Sequence, residues 1–377
     1  MRLTFPLLAA VAAACTAEPP RLQEPLVPAK PLVVAAGKPV ANLPGERFFR
    51  SVRQLTFGGE NAEAYWSWDG TRLILQSRPT PTECDQIYVL DLRTGTRTLV
   101  STGKGVTTCG YFLQGDKRVI FASTHVADEK CPPPPGRVRG RYVWAVRQGY
   151  DLFTARPDGT DLKRLTDVPG YDAEATVCPV TGRILFTSVR DGDLELYVME
   201  QDGSEVRRIT NRVGYDGGAF FSHDGSKIVL RSGLLETPEQ EKEYKDFLAQ
   251  GLVVPSRMEL AVCAHDGKGF RTITNNGKAN FAPFWHPDNR RILFSSNQDD
   301  PRGRNFELYL IDETGKNQVR VTNYEQFDGF PMFSPDGRHL VFASNRFGTI
   351  QGETNIFLAE WAEQGDVVTP ASQPSRQ

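Results

Sequence analysis

Short runs in which apolar and polar residues alternate, each closed by a turn, repeat along most of this chain. The clearest is FSPDGRHLVFASN, Phe333 to Asn345, where an apolar strand leads into Pro335-Asp336-Gly337 and an alternating strand carrying Leu340 and Phe342 runs back. Turn residues flanked by two alternating runs predict a β-hairpin. Related stretches begin at Trp66, Phe112, Val177, Phe221 and Trp285, which makes six hairpins in all.

A second pattern closes each unit. Strand endings of the form Arg-x-Leu/Ile-Thr stand at Arg164 to Thr166, Arg207 to Thr210, Arg271 to Thr274 and Arg320 to Thr322, with a degenerate version at Thr96 to Ser101. Between hairpin and ending lies a third strand, such as Leu194 to Gly203 or Phe306 to Gly315. Four antiparallel strands per unit predict the blade of a β-propeller. After Asn355 to Trp361 no fourth strand follows, whereas Arg53-Gln54-Leu55-Thr56 matches the ending yet precedes the first hairpin. The expected fold is therefore all-β, a six-bladed β-propeller whose last blade is closed by an N-terminal strand, which removes an open sheet edge.

Steps between successive endings are about 44 to 48 residues for Thr56 to Ser101, Thr166 to Thr210 and Thr274 to Thr322, near the usual propeller repeat. Blades 2 and 4 run about 20 residues longer. The blade 2 insertion contains Pro132 to Pro135 and reads as extended. In blade 4, Thr237, Pro238 and Gln240 read as N-cap, first-turn proline and capping-box partner of one short helix that stops at Gly251. Strand direction puts both insertions on one face, called face one, and turns such as Pro335-Asp336-Gly337 on the other, face two.

Composition narrows the function. The chain has 377 residues and a formal net charge of −2, so no basic field points to nucleic acid or to an anionic membrane surface. None of the 5 His is paired at a metal-ligand spacing, and no nucleophile-elbow, zinc-protease or phosphate-loop motif is present. At the N-terminus Arg2, an apolar run from Leu3 to Ala14 and Ala12-Ala13-Ala14-Cys15 read as an export signal. The junction resembles a bacterial lipobox with Cys15 lipidated, and an ordinary signal cut after Ala14 or Ala17 is the other reading. The expected organisation is a signal over residues 1–15, a Pro-rich tether over 16–46, the propeller over 47–363 and a disordered tail over 364–377.

Repeats of the form F-S-P-D-G-x-x-L-V-F-x-S, with intervening strands ending in x-x-D-G, resemble the propeller repeats of periplasmic TolB over about residues 50 to 361. The resemblance implies a six-bladed propeller and a cell-envelope address, periplasmic or at the outer membrane; the partner expected at face one is an envelope protein, peptide or glycan. TolB carries an α/β domain ahead of its propeller, and here a Pro-rich stretch stands in that place.

Face one collects polar residues where each innermost strand begins: Asn61, Thr107, Asp172, Asp216, Asn280 and Asp328. Glu63 and Glu174, two residues further on, should point the same way on a strand of period two. With Arg190, Asn297 and Arg346 nearby, this predicts an acidic channel mouth able to hold a divalent cation. The alternative role for these Asp residues is to cap the blade-to-blade connections. Trp144, Tyr244 and Phe247 on the insertions are candidate partner contacts. Oxidising conditions favour one disulfide among Cys84, Cys109 and Cys131, with Cys84–Cys131 the choice. Two functions are compatible with this picture: a non-enzymatic, monomeric scaffold binding at face one, membrane-associated only through its lipid, or a metal-assisted lyase or hydrolase using the mouth carboxylates.

Overall fold

The computed structural model describes residues 32–80 and 83–363. Six antiparallel sheets form a ring in which each innermost strand packs against the innermost strands of the two neighbouring sheets. Blade 3 shows the plan: Asp172–Val177, Ile184–Ser188, Glu195–Met199 and Arg207–Arg208 pair in chain order from the axis outward. In the last blade Asp328–Phe333, His339–Ser344 and Asn355–Trp361 are followed by Phe49–Gln54, so the N-terminal strand closes the ring. Phe49 is fully buried there and stacks on Phe342 at 5.5 Å.

The recurrent Arg-x-Leu/Ile-Thr ending acquires a physical meaning. In all six blades its hydroxyl (Thr56, Ser101, Thr166, Thr210, Thr274, Thr322) accepts the N–H of the second residue of the third strand at 2.8–3.0 Å. In five of the six blades the fourth strand is only two or three residues long, and this side-chain bond replaces a missing rung of its ladder. Arg164, Arg208 and Arg320 donate from Nε to the carbonyl of the same Thr at 2.7–2.9 Å. Their other end reaches the buried carboxylate that opens the third strand: Asp151, Glu195 and Glu307.

Packed structure begins earlier than the expected tether boundary at residue 46. Lys38–Val40 adds a fifth strand outside Phe49–Gln54, the Ala35 and Ala36 N–H groups both donate to Leu92 O at 3.0 Å, and Glu46 is buried against Arg346. Proline at position 39 is tolerated because this is an edge strand. Residues 1–31 and the tail from 364 lie outside the described residues, and with them the signal, Cys15 and the rest of the tether.

Among the described residues the one helix spans Pro238–Leu248, with Thr237 accepting from Gln240 N at 3.3 Å and Gln240 Oε1 accepting from Glu236 N at 2.7 Å. Gly251, at φ +69°, ends the turn that follows it. The helix and the proline-rich insertion stand on the same face of the ring.

One feature of the innermost strands is invisible to a period-two reading. All six carry a β-bulge, and in all six its first residue has a left-handed backbone: Glu63, Cys109, Glu174, Gly218, Ala282 and Phe330, with φ between 47° and 58°. A bulge inserts one residue and re-aims the side chain. The strand openings and the bulge residues therefore form two separate rings.

Candidate functional site

The two insertions meet. Trp144–Ala145 of blade 2 pairs with Leu252–Val253 of blade 4, and Val146 N donates to Gly251 O at 2.7 Å. This short ladder crosses blade 3 and roofs the channel mouth. Trp144 reaches the opposite side, its ring 5.1 Å from that of Phe281 in blade 5, and the Arg231 guanidinium of blade 4 lies 5.1 Å from it. A small second core, Val146, Leu194, Tyr215, Val253 and Met258, holds the roof down. At the far end the channel is floored by Tyr65, Tyr111, Phe220 and Phe284, whose successive ring contacts of 5.2–6.2 Å cross the axis.

Between roof and floor stands a polar group built by the bulge ring. Glu174 forms an ion pair with Arg231 and accepts from Tyr215 Oη at 2.6 and 2.8 Å, from Thr187 Oγ1 at 2.8 Å and from Gly218 N at 2.9 Å. A Cβ at Gly218 would meet Arg231 Cζ at 2.9 Å, so a larger residue there would have to push the guanidinium aside. Glu63 hydrogen-bonds Cys109; loss of solvation in the channel, with Glu174 nearby, pushes its carboxyl up to about 7. Burial likewise raises the Cys109 thiol. Arg231 was not singled out from the sequence, and Cys109 was considered there only as a disulfide partner. Arg231 stands where the other second strands carry Gln76, Ala122, Thr187, Ser295 and Ala343, and a lone charge in that column is a readable signal.

The predicted acidic mouth is not formed by the strand openings. Asn61, Thr107, Asp172, Asp216, Asn280 and Asp328 are each at most 2% exposed; Thr107 bonds Ser123, and each of the others lies beside the residue that opens the preceding third strand: Asn355, Asp151, Glu195, Glu259 and Glu307. Asp172 is held by Arg190 at 3.0 Å. Asp328 is held by Arg346 at 2.8 Å, and that guanidinium also binds Glu46. Ser232 donates to Asp216 and Ser296 to Asn280, at 2.6 and 2.8 Å. Asn297 accepts from Ala279 N and donates to Gly303 O, both at 3.0 Å. These six candidates (Asp172, Arg190, Asp216, Asn280, Asn297 and Asp328) and Arg346 tie blades and loops together; of the candidate ring only Glu63 and Glu174 face the channel. The reason is the bulge, which breaks the period that seemed to align both sets.

The insertion aromatics are likewise turned inward. Phe247 is buried beneath Arg139, Tyr244 donates to Asp193, and Trp144 serves the roof. Tyr142 of the blade 2 insertion is exposed instead, at 58%. Cys84 and Cys131 are joined in a disulfide and Cys109 is free. Among the described residues no three His, Cys, Asp or Glu side chains gather as a metal site, so the donor set needed for a mouth cation is not assembled by these carboxylates.

Asp216 offers a test of this reassignment. Burial raises its carboxyl to about 7, with Glu195 adding to the effect, and its Oδ2 has no partner. The folded state then binds the proton that an unfolded Asp releases near pH 4. Its contribution to stability is complete below about pH 4 and is lost as pH rises to about 7. Asp216→Asn, which copies Asn280 of blade 5, should unfold like the natural protein at pH 4. By pH 8 it should be more stable, by on the order of 2–4 kcal/mol. Urea titrations at both pH values check this, and a variant less stable at pH 8 would restore Asp216 as a needed charge.

Beside the roof lies a cleft of about 490 Å³ between blade 1 and the proline-rich insertion, lined by Arg78, Asp85, Pro132, Pro134, Pro135, Arg137, Tyr142, Trp144 and Arg147 among others. The disulfide anchors its wall, since Cys84 belongs to the blade 1 loop and Cys131 opens the proline run.

Fold and site together define the class: a six-bladed β-propeller with a floored channel, a roofed mouth and a side cleft on face one. No protein-family profile and no curated protein matches the chain. Among solved structures it is similar to TolB from Acinetobacter baumannii, at 18% identity and a TM-score of 0.53, covering 76% of this chain and 63% of that one. A TolB structure from Agrobacterium tumefaciens gives 17% identity and 0.53, covering 81% and 91%. The tricorn protease gives 16% and 0.54, covering 85% of this chain and 27% of that one. The chain thus spans less than two thirds of the Acinetobacter protein's length, and the likeness is one of fold: a TolB-like propeller.

Proposed function

We propose that this protein is an exported, lipid-anchored binding propeller of the bacterial cell envelope, a non-enzymatic scaffold that receives a protein, peptide or other ligand on face one. The observation that carries this reading is the pairing of Trp144–Ala145 with Leu252–Val253. Two insertions far apart in sequence build one roofed surface beside a preformed cleft, and elaboration of loops on a rigid scaffold is where binding is usually found. The address rests on the signal-like N-terminus with Cys15 and on the resemblance to TolB; no described helix is long and apolar enough to cross a membrane. The propeller domain of this reading runs from the segment around Leu32 to Glu363, preceded by the signal and the remaining tether.

A photo-crosslinking amino acid tests the face. Placed at Tyr142 in the full chain in cells, it should yield discrete crosslinked products, while the same group at Asp336 on face two should not. The reverse pattern would move the function to face two.

A further inference from the structure

The geometry points to the cleft beside the roof as a site for a small dianion, a ligand carrying two carboxylates or one phosphoryl group on a flat or apolar body. This rests on the face-one reading and names the chemistry of its ligand.

The cleft's charges are unevenly matched. Arg78 is bonded on one edge to Glu60 at 2.5 Å, and its Nε is buried without a partner. Arg137 and Arg147 form no ion pair among the described residues; each is held only by a backbone carbonyl, Gly140 O at 2.8 Å and Pro133 O at 2.9 Å. A guanidinium held by one N–H keeps its remaining donors available, and two of them uncompensated on one wall favour an anion with two charged oxygens. The volume suits a small ligand, within the roughly 300–1,000 Å³ of ordinary sites. Tyr142, Trp144 and the prolines supply apolar surface. Four consecutive prolines and the Cys84–Cys131 bond restrict the wall before any ligand arrives, which lowers the ordering cost of binding.

One carboxyl opposes the anion, and it is poised to yield. Loss of solvation raises the Asp85 carboxyl from its ordinary value, outweighing Arg78 and a hydrogen bond from Gln76, while Glu60 adds repulsion. Glu63 and Tyr150 face it from the channel side, and Arg137 and Arg147 share the cleft from the insertion. An incoming dianion repels the Asp85 charge, so binding should be accompanied by proton uptake and should strengthen as pH falls.

Calorimetric titration of the oxidised full chain with isophthalate and with phenyl phosphate, at low and at physiological salt, tests this. Benzyltrimethylammonium serves as the cationic control. At least one dianion should bind one to one at up to about 10 mM, more weakly as salt rises. Arg137→Ala and Arg147→Ala should each weaken binding about tenfold or more, with little change in unfolding temperature, since Arg137 is exposed, Arg147 is half-buried and each makes one backbone hydrogen bond. Asp85→Asn should tighten binding at pH 7.5 and flatten its pH dependence. Preference for phenyl phosphate assigns a phosphoryl ligand and preference for isophthalate a carboxylate pair; either supports the site. No binding by either dianion, tighter binding of the cation, or arginine variants that bind like the natural protein would overturn it. If Tyr142 still crosslinked its partner in that case, the ligand chemistry would fall and the face-one assignment would stand.

Discussion

Arg346→Ala is expected to lower the unfolding free energy by about 3–5 kcal/mol, a large share of what a folded domain has. The Arg346 side chain is 1% exposed and those of Glu46 and Asp328 are 0%. Its Nη1 and Nη2 donate to Glu46 at 3.1 and 2.8 Å, Nη2 also to Asp328 at 2.8 Å, and Nε to Ser344 Oγ at 3.0 Å. Removing the guanidinium strands two carboxylates in a buried space that also holds Glu307, itself raised by burial and by Asp328. Those carboxylates can then relax only by taking up protons, so the deficit should shrink from pH 8 to pH 5. Urea unfolding across that range measures both effects. A loss under about 1 kcal/mol, as for a surface ion pair, would return Arg346 to the role of a ligand-binding residue.

Removal of the closing strand should be more damaging still. A chain starting at Gly58 lacks Phe48, Phe49, Val52 and Leu55, all buried against the last blade, and at about 1.5–3 kcal/mol each their burial matches the whole stability of a typical domain. It also exposes the edge of Asn355–Trp361, with its unpaired backbone groups. The expected outcome is aggregation or loss of cooperative unfolding, whereas a chain starting at Arg47 should fold with reduced stability because Glu46 is gone. Equal unfolding temperatures for the chains starting at Gly58 and Arg47 would refute closure.

The ring itself was readable because its turns and strand endings repeat, and the displaced Arg53 to Thr56 ending located the closure. The Thr237–Gln240 capping pattern located the helix for the same kind of reason: local backbone groups must be satisfied locally. The site was less readable, for two physical causes. A bulge adds one residue without changing the residue types around it, so Glu63 and Glu174 seemed to share a side with Asp172 and Asp216, although they are turned into the channel. The Trp144–Val253 ladder joins stretches of two residues each, too short to show alternation, and long-range pairing leaves no local mark. Trp144, Tyr244 and Phe247 were noticed as apolar residues on polar insertions, and burying that apolar surface is what the roof does.

The account depends most on the roof, because a surface made by both insertions is what sets face one apart from face two. Ala145 and Leu252 are paired, flanked on one side by the hydrogen-bonded pair of Val146 and Gly251. They are therefore a non-hydrogen-bonded pair, the closer type, with Cα atoms about 4.5 Å apart and within reach of a disulfide. Intact-mass measurement of the exported Ala145→Cys, Leu252→Cys double variant, with thiol alkylation, should show one bond more than the natural protein and no additional alkylated thiol. Two additional free thiols in the folded double variant would mean that the insertions do not meet, and the roofed face would be lost with them.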